Sequence, residues 1–116
     1  MRYNDSVSLT TAYGFGAARM SISWPRVMAY AFDATTGELT WERNEEGIAH
    51  YHSVLAAYQA AGVKPAITMW HWDLPLAIEE KAATMDCGSA WLCFDLVSAE
   101  AESYAVLLFS EVTNDS

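Results

Sequence analysis

Residues 62–75 read Gly62-Val63-Lys64-Pro65-Ala66-Ile67-Thr68-Met69-Trp70-His71-Trp72-Asp73-Leu74-Pro75, and this stretch decides the fold. Val63 to Trp70 is nearly all apolar, with Pro65 near its beginning, where a strand can accept one. Such a run predicts a strand covered on both faces, as in parallel sheets flanked by helices. It then gives way to His71, Trp72 and Asp73 at the strand's carboxyl end. In parallel α/β folds ligands bind at that end.

Working outward, the preceding segment reads as an amphipathic helix. Asn44 is a good N-cap, Glu45 and Glu46 put negative charge in the first turn where the helix dipole favours it, and Gly62 closes the element. Ile48, Tyr51, Leu55 and Tyr58 recur at steps of three and four and form one apolar stripe. Ala31 to Arg43 carries the turn formers Asp33, Thr35, Thr36 and Gly37, so a long loop is expected there, bending the chain before Glu38 to Trp41. Phe15 to Ile22, bounded by Gly14 and by Trp24-Pro25, suits a second strand, in which Arg19 is the odd charged member. Asp5 to Tyr13 reads as a helix stopped by Gly14. Beyond Pro75, Leu76 to Ala83 reads as a short helix and Met85 to Cys93 as a loop around Gly88. Asp95 to Val112 follows as a last helix with Leu96, Tyr104, Leu107, Leu108 and Phe109 as its apolar positions. The main order is helix, strand, helix, strand, helix, the mark of parallel βα units in an α/β fold.

Composition narrows the function classes. The chain has 116 residues, 53% of them apolar or aromatic and 18% charged, which is globular and sufficient for one domain at most. Its formal charge of −9 argues against nucleic acid or an anionic membrane surface as partner, and leaves neutral ligands such as sugars compatible. Met1 to Tyr13 lacks the apolar stretch of a signal peptide, and no run of roughly 18 apolar residues occurs that could span a membrane. The compartment is left open. Cys87 and Cys93 lack the paired spacing of a zinc site, and two free thiols are expected in preference to a disulfide. His50 and His52 are two apart on a helix and point to different sides, so no metal or other cofactor is expected. Neither a nucleotide-binding glycine loop nor a serine-hydrolase elbow is present.

The polar groups that could carry chemistry gather at two strand ends. Arg19, Ser21 and Ser23, with Trp24 and Arg26, belong to the first; His71, Trp72 and Asp73 belong to the second. A Trp beside His and Arg suits carbohydrate, because an indole face covers the C–H surface of a sugar while a few fixed polar groups read its hydroxyls. Taken singly, a His after a strand is more often a turn residue and a Trp more often core.

Two longer patterns carry a resemblance. Arg19-Met20-Ser21-Ile22-Ser23-Trp24-Pro25-Arg26-Val27 resembles the R-F-S-I-S-W-x-R-I signature of glycoside hydrolase family 1. Residues 62–75 resemble that family's G-I-x-P-x-V-T-L-x-H-W-D-L-P, with Asn44-Glu45-Glu46-Gly47-Ile48-Ala49-His50-Tyr51 in order between the two. Tyr3 to Phe15 is similar to the family's first helix, and Tyr104-Ala105 with Phe109 to its third. The resemblance implies a partial (β/α)8 barrel, a single domain over residues 1–116 running from about the first helix through the third. It implies the hydrolysis of β-glucosides with retention, a sugar as ligand, and no cofactor. Residue by residue, His71 would hydrogen-bond a glycone hydroxyl, Trp72 would line the same subsite, and Arg19 would lie against the catalytic nucleophile. A guanidinium beside a carboxylate favours its ionised form, which suits that role.

Both catalytic glutamates are missing from the pattern. The family supplies them from T-x-N-E-P and E-N-G motifs, and neither occurs here. Asn44-Glu45 imitates the first, but Arg43 precedes it, Glu46 replaces the proline, and a helix cap is the expected role. Glu79, Glu80, Glu100, Glu102 and Glu111 read as solvated helix positions. By resemblance, the family's first strand would precede Met1 and its fourth and later strands would follow Ser116. Near the end, Gly88-Ser89-Ala90-Trp91 replaces a compact G-G-W, Ala101 replaces an aromatic, and Thr113-Asn114-Asp115-Ser116 leaves the pattern. The chain alone is therefore expected to be inactive. The alternative is a non-catalytic carbohydrate-binding or partner-binding remnant, and an incomplete barrel also predicts self-association through exposed strand edges.

Overall fold

The computed structural model describes residues 2–87 and 93–114. Its elements are α1 (Tyr3–Ala12), β1 (Ala17–Ser21), α2 (Trp24–Val27), β2 (Met28–Asp33), β3 (Glu38–Arg43), α3 (Glu45–Ala60), β4 (Lys64–Thr68), α4 (Leu76–Ala82) and α5 (Phe94–Asn114). The expected alternation is present. β1 and β4 pair in parallel, with Arg19 opposite Ala66 and Ser21 opposite Thr68, and α3 lies in the crossover that a parallel pair requires. The loop expected around Gly88, and the Gly88-Ser89-Ala90-Trp91 departure, fall outside the described residues.

α3 begins and ends as its sequence dictates. The Asn44 side-chain oxygen accepts from the Gly47 amide at 3.2 Å, and Gly62 adopts φ +72°, a left-handed conformation that only glycine takes without strain. Its buried stripe is Ile48, Tyr51, Val54 and Tyr58, with Leu55 half-buried at its margin. Gly47 itself is buried against α2. A methyl group there would collide with the Arg26 carbonyl oxygen, so the absence of a side chain lets the two helices meet.

Four expectations about strands, cysteines and glutamates are corrected. The segment expected as a long loop is an antiparallel hairpin, with Met28 opposite Arg43 and Asp33 opposite Glu38. Its turn formers make a tight reversal: the Asp33 carboxylate accepts from the amides of Thr35 at 2.8 Å and Thr36 at 3.3 Å, and these bonds hold its pKa below the ordinary value. Met28, Tyr30 and Phe32 supply the strand alternation, and the Lys81 ammonium donates to the Gly37 carbonyl at 2.8 Å, tying α4 to the hairpin. Secondly, β4 is not covered on both faces, because Lys64, Pro65 and Ala66 are exposed. The helices of the described chain pack on one side only of a two-stranded sheet. Thirdly, Cys87 and Cys93 form a disulfide rather than two free thiols; their Cα atoms, 5.5 Å apart, link the end of α4 to the start of α5. Fourthly, Glu100 and Glu111 are not merely solvated. Glu100 accepts from the Tyr30 hydroxyl at 3.1 Å, and Glu111 pairs with Arg43 at 2.5 Å and with His52 at 3.2 Å.

The core gathers beneath the strand ends. Trp24, Met28 and Ile78 are fully buried, joined by Ile22, Val27, Ile48, Tyr104, Leu107 and Leu108. A second cluster of Val7, Val54, Tyr58 and Val63 fastens α1 to α3. On α5 the apolar stripe turns Tyr104, Leu107 and Leu108 inward, whereas Phe109, expected among them, is 72% exposed. Tyr104 stacks on Trp24 at 5.0 Å between ring centroids and 8° between planes. Its hydroxyl reaches the carbonyl of Ile22 at 3.2 Å and that of Met69, so one O–H is shared between the ends of both parallel strands. Burial, and then the negative charge of Asp73, raise the pKa of this phenol.

Two outcomes follow from this packing. Gly47→Ala forces α2 and α3 apart and is expected to cost about 2 kcal/mol, read as a lower melting temperature with an unchanged fold. Tyr104→Phe leaves the buried Ile22 carbonyl and the part-buried Met69 carbonyl without this donor and is expected to cost about 2 kcal/mol. A phenol whose folded pKa is raised contributes stability that is complete below its unfolded value of 10.0 and is lost as pH rises above it. Urea melts between pH 9 and about 12 are therefore expected to fall steeply for the native chain and less steeply for Tyr104→Phe. A residual slope persists in the variant, because burial and Glu100 raise the pKa of Tyr30 as well.

Candidate functional site

The side-chain period of two sorts β1 into two faces. Ala18, Met20 and Ile22 pack into the helix-covered clusters, so Arg19 and Ser21 lie on the opposite, uncovered face, beside Ala66 and Thr68 of β4. That resolves the odd charge inside the strand. Arg19 is exposed, and its guanidinium makes no hydrogen bond or ion pair among the described residues.

Beyond the last paired residue of β1 the chain stays fixed by one backbone bond to β4 and by side-chain bonds from other segments. The Ile22 amide donates to the Thr68 carbonyl at 3.0 Å, and the Ser23 amide donates to the Tyr51 hydroxyl at 2.8 Å. One oxygen of Asp73 accepts from the Trp24 amide at 3.2 Å and the other from the His71 amide at 3.4 Å. Together with Tyr104, these bonds place the segment after β1 against the segment after β4. His71 and Trp72 therefore sit beside the Ser23-Trp24 turn, on exposed backbone at the carboxyl edge of the sheet.

The aromatic residues divide into two roles. Trp24, grouped with the polar residues by sequence, is completely buried and forms the floor, stacked on Tyr104 and edge-on to Tyr30 and Trp70. Its indole N–H is buried and meets no acceptor at hydrogen-bonding geometry among the described residues. Trp70 is partly exposed with its ring 6.0 Å from that of Trp72, and Trp72 is 73% exposed. The two outer indoles thus present apolar surface to solvent above a rigid aromatic base. Arg26 turns away from the edge, its guanidinium carbon 5.9 Å from the Tyr51 ring centroid.

Arg19 thus lies midway along β1 on the uncovered face of the sheet, whereas His71 and Trp72 follow the carboxyl end of β4 beside the Ser23-Trp24 turn. Asp73, grouped by sequence only as a polar residue at a strand end, and Tyr51 and Tyr104, grouped as apolar helix positions, tie the two strand ends into the fold. Asn44-Glu45 remains a cap, with Glu45 paired to Arg43 at 2.6 Å. Among the described residues no group of three or more His, Cys, Asp or Glu side chains is placed to hold a metal, and no helix is long and apolar enough to cross a membrane. A separate apolar groove of about 580 Å³, lined by Tyr51, Leu55, Val63, Ile67 and Leu108, lies between α3, β4 and α5 and includes none of Arg19, His71 and Trp72.

Comparison with known proteins gives the family. The family model for glycosyl hydrolase family 1 matches residues 1–114. Beta-glucosidase 25 of Oryza sativa subsp. japonica is 36% identical over 110 residues, which are 95% of this chain and 19% of that protein. A solved rice β-glucosidase superimposes with a TM-score of 0.71 at 32% identity, over 95% of this chain and 20% of that one. The Thermotoga maritima β-glucosidase solved in complex with glucoimidazole gives a TM-score of 0.68 at 26% identity, over 95% of this chain and 21% of that one. The chain spans about a fifth of the length of each of these relatives. With the match running through both strand-end motifs and the helices that support them, this chain belongs to glycosyl hydrolase family 1.

Proposed function

We propose that residues 1–116 form one partial (β/α)8 barrel domain, from about the first helix through the third, and supply the glycone-facing half of a retaining β-glucosidase site. In this reading His71 hydrogen-bonds a sugar hydroxyl, Trp72 covers the C–H face of the same ring, and Arg19 pairs with the nucleophilic carboxylate. The observation that carries it is the parallel pairing of β1 with β4, which brings both family motifs to one carboxyl edge with His71 and Trp72 exposed. An exposed Arg19 guanidinium, with no carboxylate bound among the described residues, is also what a supporting residue for a nucleophile requires.

Retaining hydrolysis needs two carboxyl groups about 5 to 5.5 Å apart across the scissile bond. Neither of the motifs that supply those glutamates occurs in this sequence, and three of its glutamates are engaged elsewhere: Glu45 pairs with Arg43, Glu100 accepts from Tyr30, and Glu111 holds Arg43 and His52. Residues 1–116 taken alone therefore bind sugar without turning it over. Purified chain is expected to release no p-nitrophenol from p-nitrophenyl β-glucoside above a His71→Ala control; release above that control would overturn the reading. Each strand of the β1–β4 pair has a single neighbour among the described residues, and such open edges recruit other strands. Size-exclusion chromatography is accordingly expected to show a concentration-dependent shift from monomer to larger species, and a single monomer peak at all concentrations would contradict it.

A further inference from the structure

We propose that the Asp73 carboxylate is a positioning residue that fixes the conformation of the His71-Trp72 segment by anchoring it to the end of β1. The inference takes from the proposed function only the premise that these two side chains meet a sugar.

Trp72 has φ +72°, the one positive value at a non-glycine among the described residues. For a bulky side chain this left-handed conformation is an outlier, and such strain persists at functional sites only where the surroundings over-determine it. Trp72 is 73% exposed, with its ring 6.0 Å from that of Trp70. Its backbone is bonded on both sides of the turn. The Leu74 amide donates to the Trp72 carbonyl at 3.2 Å on one side, and the His71 amide donates to Asp73 on the other. The second Asp73 oxygen takes the amide of Trp24, whose indole is completely buried and stacked on Tyr104. One carboxylate therefore ties a strained, exposed turn to the most deeply packed ring of the core, across 49 residues of chain.

The choice of aspartate has a chemical reason. Two N–H donors converge on one side chain, and only a carboxylate offers an acceptor on both of its oxygens. Asparagine has one carbonyl oxygen, and its amide nitrogen would confront the second N–H. The better-buried Trp24 amide should keep that oxygen, which releases the His71-Trp72 turn. Asp73→Asn thus separates positioning from general stability.

The test uses the 116-residue chain, native and as Asp73→Asn and Asp73→Ala, read by amide hydrogen exchange, by the Trp72 Cα–Hα coupling that reports the sign of φ, and by near-ultraviolet circular dichroism of the indoles. In Asp73→Asn, protection of the Trp24 amide is expected to stay near native, while Trp72 leaves the left-handed region and the Trp70–Trp72 signal falls. Asp73→Ala is expected to lower Trp24 protection as well, by about tenfold. A native Trp72 backbone and indole signal in Asp73→Asn would overturn the proposal. Unfolding of Asp73→Asn would overturn it too, by showing that the carboxylate serves stability at large; unfolding of Asp73→Ala alone leaves the decision with Asp73→Asn. None of these readouts involves a sugar. Failure of the native chain to bind glucoimidazole would instead count against the proposed function, whatever the Asp73 variants do.

Discussion

The hydroxyl of Tyr104 is the contact on which the arrangement of the strand ends depends. β1 and β4 pair over only five residues each, and a two-stranded parallel ladder of that length has little stability of its own. Their carbonyls at Ile22 and Met69 lie where the ladder ends and the backbone has no sheet partner to satisfy it. A phenol from α5 answers both, and its ring lies flat on Trp24. The same residue thus closes the core and spaces the two exits, which is why α5, distant in sequence from both motifs, belongs to the site's architecture.

What the site does follows from that spacing. The uncovered face of the sheet carries Arg19, and its carboxyl edge carries His71 and Trp72. The buried Trp24 and Tyr104 beneath them form a stiff base. A sugar subsite needs an aromatic face and a small number of polar groups held without freedom to rotate away. In the proposed reading, the Asp73 carboxylate and the Tyr51 hydroxyl serve the second requirement by bonding backbone amides on both strand exits. Family membership accounts for the residue types, and the hydrogen bonds account for their placement.

Much of this was legible in the sequence where the signal is local. The N-cap at Asn44, the stripe on α3, the apolar run of β4 and the two ordered motifs all depend on neighbours a few residues apart. The hairpin is less legible, because Asp33, Thr35, Thr36 and Gly37 outweigh the alternation of Met28, Tyr30 and Phe32, although turn formers between two short runs also signal a reversal. Coverage of β4 is not legible, because an apolar run reports what a strand can bury and not which neighbours it has within one stretch of chain. The links through Tyr104 and Asp73 join residues 35 to 82 apart, and no periodicity encodes such pairings. The same holds for Glu111, whose partners Arg43 and His52 lie on other elements.

The claim that one strand edge forms half of a sugar site is open to a direct measurement. A chemical-shift titration of the isotope-labelled chain with glucoimidazole, the ligand seen in the Thermotoga maritima relative, reports every contact at once. Saturable shifts centred on the His71 imidazole and the Trp72 indole are the expected result. Saturable shifts confined to the groove residues Leu55, Ile67 and Leu108, or no shifts at all, would contradict it.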